Sequence, residues 1–353
     1  MKTWDVIVIG GGIIGLSLSI ALHKRGAKVL IVERGEPGRE ASHAAGGMLV
    51  DCLVETPAAL RLLATASARM YPEFAYELEV ESRKKVDLRD HGTILFPSPG
   101  HTSHFTNPVS LPELEPALAE QSRPAFDLRE RSVDPRALTA AALQTAKNCG
   151  IDFSSGDPAT AVNQSGGYAS GVTTARTRFL APKVVNCAGA WSGQIAPHAF
   201  PTRPVKGQML CLAMPSRSLL KHVIRTPDVY LIPRSDGRLL AGATVEEAGF
   251  DKRTDVATIQ RLHRAAVALV PELQNAKILE DWAGLRPGTP DALPILGATP
   301  TPGYYVATGH FRDGILLAPI TAQVMADVIN GVQPAFDLAP FSPARFASSG
   351  PLS

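Results

Sequence analysis

An α/β fold, in which a parallel-sheet domain is interleaved with a second domain, is predicted by three passages of the sequence. Residues 4–34 (WDVIVIGGGIIGLSLSIALHKRGAKVLIVER) join a strand, a glycine-rich turn, a helix and a second strand ending in an acid. Residues 183–192 (KVVNCAGAWS) read as a buried strand running into small residues, where a backbone can approach a ligand closely. Residues 304–319 (YYVATGHFRDGILLAP) read as a strand, a glycine-bearing turn and the start of a helix expected from about Gly314 to Asn330.

The first passage carries the chemistry of a dinucleotide site. Val6 to Ile9 is the apolar, β-branched run of a buried parallel strand, and Gly10, Gly12 and Gly15 then give G-x-G-x-x-G where strand meets helix. The first glycine permits the tight turn and the second lets a pyrophosphate approach the backbone. The third allows close helix–strand packing, with the helix N-terminal N–H groups facing the phosphates. Glu33 lies eighteen residues past Gly15, at the end of a strand expected over Lys28 to Val32, where a carboxylate accepts from a ribose diol. Val6 to Leu22 carries no charge, but four glycines and two serines interrupt it and it is short for a membrane span, so the nucleotide turn is the better reading.

Composition points to a soluble, cytoplasmic enzyme. The chain has 353 residues, 45% of them hydrophobic, and its 35 basic and 33 acidic residues leave no field that would favour nucleic acid or an anionic membrane. Cys52, Cys149, Cys187 and Cys211 form no C-x-x-C, so neither a metal site nor a redox pair is indicated, and they are expected to be small buried hydrophobes.

Thr56 and Pro57 read as N-cap and first residue of a helix with apolar positions at Leu60, Leu63, Met70 and Phe74. Lys84 to Pro97 turns to strand, and a proline-rich crossing follows to Pro124. A helix is expected from about Asp134 to Asn148, capped by Asp134, with Pro135 in its first turn and Gly150 at its stop. A strand-rich stretch with a hairpin at Ser165-Gly166-Gly167 comes next, and the tail from about Phe341 is expected to pack and then fray.

The N-terminal fingerprint, SHAAGGML at 42–49, PVKGQML at 204–210, WAGLRPGTPD at 282–291 and GHFRDGILLAP at 309–319 together resemble the FAD-dependent D-amino-acid oxidase family, and within it the bacterial glycine oxidase branch of thiamine biosynthesis. The resemblance covers nearly the whole chain, and the last two blocks are far more specific than the glycine fingerprint. It implies a Rossmann-type FAD-binding domain over 1–84, 131–198 and 282–353, interleaved with an α+β substrate domain on a mostly antiparallel sheet over 85–130 and 199–281.

Carried over by motif, FAD contacts fall on Ile13 and Ile14 beside Gly10, Gly12 and Gly15, on Glu33 and Arg34, and on Ala41, Ser42, Gly46, Gly47 and Met48. They continue at Ala159, across a gap in the match, and at His310, Phe311, Arg312, Asp313, Gly314, Ile315 and Leu316. The Gly314 turn would aim a helix N-terminus at the pyrimidine end of the flavin. The resemblance makes Arg286 the carboxylate grip, Tyr230 its hydroxyl partner, Arg312 a weaker anchor and Met48 a cap over the ring. His310 is read as positioning the backbone, not as a proton shuttle, and the flavin as non-covalent despite His43.

The activity so implied is oxidation of glycine, or of a small amino acid or amine such as sarcosine or D-alanine, by hydride transfer to flavin N5. Its products are an oxo acid (glyoxylate from glycine), ammonia and, with dioxygen, hydrogen peroxide. The physiological role implied is supply of dehydroglycine for the thiazole of thiamine, and the assembly a homotetramer. Asp228 and Val245 depart from the glycine oxidase pattern, which has histidine and methionine there, and this leaves the substrate open among glycine, an N-substituted glycine and an amine. A dehydrogenase passing electrons to a quinone or other acceptor is the alternative activity.

Overall fold

The computed structural model describes residues 2–51, 56–98, 100–102, 105–118 and 120–346. The strands described form four sheets, of which two position the site. The first has the spatial order Ile295–Ala298, Tyr304–Thr308, Lys183–Asn186, Val6–Ile9, Val29–Glu33, Asp152–Ser155. It is parallel throughout except for its antiparallel first pair.

Alternation along its central strand explains the continuous apolar run. Val6 and Val8 face the helices Ile13–Lys24, Arg61–Ser82, Pro135–Asn148 and Ala318–Ile329, whereas Ile7 and Ile9 face a three-stranded antiparallel meander, Ala159–Leu180. Both faces are covered, so neither needs a polar residue. The meander turns at Gly166 and Gly167, both at positive φ, as a two-residue hairpin requires.

The second sheet runs Ile278–Gly288, Arg203–Ala213, Arg238–Gly242, Tyr230–Pro233, Val223–Arg225, Thr93–Leu95, Phe126–Leu128, and is antiparallel apart from Val223–Arg225 beside Thr93–Leu95. Leu210 and Leu212 pack toward the helix Val256–Leu269, and Met209 and Cys211 point the other way, toward Met48, Tyr230 and Trp282. The expected mostly antiparallel substrate-side sheet is therefore present beside the parallel one.

Several local expectations need correction. Pro57 caps a short 3-10 turn, Ala58–Leu60, and the α-helix starts only at Arg61. The strand expected from Lys84 to Pro97 is two short pieces, Leu88–Arg89 and Thr93–Leu95, broken at Gly92, whose positive φ does not suit a strand. The last helix begins at Ala318 and not at Gly314, because Pro319 occupies its first turn and residues 314–317 form a tighter turn before it. Cys187 and Cys211 are buried and Cys149 is only partly so, while Cys52 and the end of the tail lie outside the described residues. No helix described is long and apolar enough to cross a membrane.

Asp134 behaves as read: its Oδ1 accepts from Arg136 N at 2.9 Å and Ala137 N at 3.4 Å, and its Oδ2 pairs with Arg238 at 2.7 Å. Asp134→Ala removes the cap and the pair together, and is expected to lower the unfolding free energy in urea by about 2–3 kcal/mol. A loss under about 0.5 kcal/mol would show that neither interaction contributes.

Candidate active site

A cavity of about 860 Å³ lies where the C-terminal ends of Val6–Ile9, Val29–Glu33 and Lys183–Asn186 face the second sheet. Ligands of open α/β sheets collect at that edge. Every residue singled out above as a site residue lines the cavity except Gly15 and Leu316. Gly15 is packed against the Gly10 carbonyl, leaving no room for a Cβ. Leu316 is buried behind the wall, and its carbonyl accepts from Ser67 Oγ at 2.6 Å.

At the glycine turn, Gly10 has φ +107 and its N–H donates to Val32 O at 2.8 Å. Gly12 differs, because a Cβ there meets within the protein only Ser42 Oγ, at 3.3 Å, so its outer side is open to the cavity. Ser42 Oγ accepts from Ile13 N at 3.0 Å, tying the second loop to the helix start. Glu33 is buried and braces the turn, accepting from Gly11 N at 2.7 Å and Gly35 N at 2.9 Å. Each of its oxygens keeps lone-pair capacity beyond that one bond.

The loop at 41–48 is clamped from outside. Arg234, 1% exposed, donates to Gly46 O at 2.6 Å and to Val133 O at 3.0 Å. Gly47, at φ +78, sits so close to Val133 and Pro135 that no side chain fits. Arg234 stands in DVYLIPR four residues after Tyr230, and a charged residue inside an apolar strand was the available signal for it. Trp191 was likewise not assigned a role, and it stacks beneath Arg34 at 4.2 Å at the cavity wall.

The C-terminal turn is held by three contacts. Tyr71 Oη donates to Ile315 O at 2.5 Å, Phe311 N donates to Pro287 O at 3.0 Å, and His310 Nε2 lies 3.1 Å from Thr321 Oγ1. Phe311 has φ +47, a conformation that glycine ordinarily supplies. Burial pulls His310 down to about 3, so its ring is neutral near pH 7. A neutral, buried imidazole bonded to the final helix ties the turn to that helix.

Arg286 and Tyr230 meet at the substrate-side sheet. Arg286 is partly buried, and its Nη1 donates to Thr244 O at 3.1 Å and Lys206 O at 3.4 Å. It makes no ion pair among the described residues, and burial lowers its pKa, with Tyr230 opposing. Gly207 leaves the space its guanidinium occupies, since a Cβ there would overlap it. Tyr230 Oη lies 3.7 Å from Met209 Sδ, and burial raises its pKa against the pull of Arg286. Arg312 is exposed at the rim with its guanidinium 5.1 Å from the Phe311 ring. Asp228 and Val245 both line the cavity, so neither departure from the glycine oxidase pattern is remote from it.

Burial pushes the Asp313 carboxyl up to about 6, with Arg312 opposing. The folded chain therefore holds this proton more tightly than the unfolded one. The resulting stabilisation is complete below the ordinary carboxylate pKa of about 4 and is lost as pH rises through about 6. Asp313→Asn apoprotein should lack this loss, about 2–3 kcal/mol in urea unfolding between those pH values. Parallel pH profiles for the two proteins would contradict it.

The profile of the FAD dependent oxidoreductase family matches residues 5–328. The chain is 35% identical to the bifunctional protein ThiO/ThiG of Trichormus variabilis, over 93% of this chain and 53% of that one, so it spans about half the length of that relative. It is 30% identical to the hydrogen cyanide synthase subunit HcnC of Pseudomonas aeruginosa, over 98% and 97% of the two chains. The crystal structure of glycine oxidase from Geobacillus kaustophilus superposes with a TM-score of 0.91 at 31% identity, covering 98% of this chain and 99% of that one. A glycine-rich turn at one end of the cavity, an arginine at the other and a family match across both leave one conclusion: the chain belongs to the D-amino-acid oxidase family of FAD-dependent oxidoreductases.

Proposed function

We propose that the protein oxidises a small amino acid, with glycine as the leading substrate, to an imino acid that water converts to an oxo acid and ammonia. Arg286 carries this reading: a partly buried guanidinium without an ion pair among the described residues, lining the cavity, is a ready anchor for a carboxylate. The residues also fit FAD. The Gly12 side of the turn is open where a pyrophosphate would lie, Glu33 keeps acceptor capacity for a ribose, and the loop at 46–48 and the turn at 310–315 line the cavity and would hold the ring.

Bound FAD would supply the hydride acceptor for the substrate Cα and, with dioxygen as the final acceptor, the route to hydrogen peroxide. The protein's own part is positioning. Arg286 directs its fork at the carboxylate because the Thr244 and Lys206 carbonyls hold one arm, and Tyr230 adds a hydroxyl donor. Arg312 supplies positive charge at the rim, and Met48 walls the cavity. No side chain is assigned as base, because the amine that loses the hydride enters the step neutral. Non-covalent flavin, and a role in supplying dehydroglycine for a thiazole, complete the reading.

The test is peroxide release in air by purified protein with FAD, across glycine, sarcosine, D-alanine, D-proline and a simple primary amine. Turnover led by glycine supports the proposal, bleaching without peroxide moves the protein to a different electron acceptor, and turnover of the amine alone removes the carboxylate anchor. Arg286→Ala should keep its flavin and raise KM by about 30-fold or more, from a charge-partner loss of about 2–5 kcal/mol. Gly12→Val should do the opposite and purify colourless, because its side chain would occupy the space of the pyrophosphate. A yellow, fully loaded Gly12→Val protein would remove the phosphate-turn assignment.

A further inference from the structure

Glu246 lies outside the lining of the main cavity, yet it bonds to both residues whose carbonyls hold Arg286. Its N–H donates to Lys206 O at 2.9 Å, and that same carbonyl accepts from Arg286 Nη1 at 3.4 Å. Its carboxylate accepts from the Thr244 hydroxyl, and the Thr244 carbonyl accepts from Arg286 Nη1 at 3.1 Å. With its proton committed to Glu246, Thr244 Oγ1 turns a lone pair to Gln208 N, which donates to it at 2.8 Å. Gln208 Nε2 in turn donates to Glu246 at 2.9 Å, and Gln208 Oε1 accepts from Asp255 N at 2.7 Å.

An ion pair with the buried Lys206 is the plainer role for this carboxylate, but Lys206 Nζ lies 3.7 Å away, farther than the Gln208 amide. The neighbouring Glu247 is the solvated member of the pair: it turns outward to Arg203 Nε at 3.2 Å, with both side chains more than half exposed. Burial works against the Glu246 charge, but the Thr244 hydroxyl and the Gln208 amide outweigh it, so its pKa falls below the usual carboxylate range and it is an anion near pH 7. Burial also lowers the Arg286 pKa, and the Glu246 charge opposes that shift. A carboxylate set back behind Thr244 thus supports the guanidinium without occupying its fork.

We propose that Glu246 is the positioning residue of the carboxylate anchor: through Thr244 and the Lys206 carbonyl it fixes the Arg286 fork toward the cavity, so that preference for a carboxylate ligand depends on Glu246 as well as on Arg286. Removing the carboxylate frees the Thr244 hydroxyl to turn and leaves Gln208 Nε2 without its acceptor, and the side-chain bonds that hold Thr244 to the strand Arg203–Ala213 are lost with it. Arg286 then keeps its charge and loses its aim. This rests on Arg286 as the carboxylate anchor and deepens that reading.

The test titrates glycolate and glycolamide into the FAD-loaded wild type and its Glu246→Ala, Thr244→Val and Thr244→Ser variants, follows the flavin absorption spectrum, and reads the ratio of the two dissociation constants. Glu246→Ala and Thr244→Val should each cut the wild-type preference for glycolate by about fivefold or more, the double variant should cut it no further, and Thr244→Ser should keep it. Thr244→Val carries the test if Glu246→Ala does not fold, since it leaves the carboxylate in place and removes only the hydroxyl link. A preference unchanged in Glu246→Ala or Thr244→Val, or lost equally in Thr244→Ser, overturns the positioning role while its loss in Arg286→Ala still shows the anchor. Losses that add in the double variant overturn the role as well, because the two side chains would then act independently. If the wild type itself does not distinguish the two ligands, the anchor falls and this role with it.

Discussion

The account depends on one guanidinium. Arg286 is withdrawn from solvent far enough for burial to lower its pKa, and among the described residues its contacts are with carbonyls and a phenol instead of a carboxylate. Such an arrangement costs stability, since a charge leaving water is ordinarily compensated by a partner of opposite sign. The sheet is shaped to keep it. Gly207 gives up its side chain where the guanidinium lies, and Gly242 would crowd Met209 and Tyr230 if it carried one. Local rules broken together around one cationic group mark a functional site.

At the opposite end the constraint is backbone proximity. Gly15 packs on the Gly10 carbonyl, which fixes the helix start against the strand, and Glu33 and Ser42 then take N–H groups of the turn and helix start. The two ends are coupled through the loop at 41–48. Arg234 ties Gly46 to the second sheet, and Trp282 Nε1 donates to Ala44 O at 3.1 Å from the strand that also carries Arg286. A shift of that loop would therefore move both ends of the cavity.

What the sequence disclosed followed its periodicities and turn chemistry. Val6–Ile9, the glycine turn, the Asp134 cap and the Gly166-Gly167 hairpin are local signals, and each stands where local physics puts it. The helix at Val256–Leu269 was not foreseen, although Asp255 caps it as a sequence reading would allow. Gly314 signals a helix start by itself, but Pro319 fixes the first turn, so the helix begins at Ala318. Arg234 and Gly207 stayed hidden because their roles are tertiary. One bonds carbonyls far away in the chain, and the other matters only for a guanidinium on the neighbouring strand. Arg286 and Tyr230 were reached through motif resemblance, since nothing within their own segments distinguishes a carboxylate anchor from a surface charge.

The central claim, that the Arg286 end of the cavity demands a carboxylate, is tested most directly with ligands that cannot react. Glycolate and glycolamide differ in that group alone, and each can be titrated into the FAD-loaded protein while the flavin absorption spectrum is followed. Saturable perturbation by glycolate, with glycolamide weaker by about tenfold or more, is the predicted result. Equal responses, or none from glycolate, would contradict the assignment of Arg286.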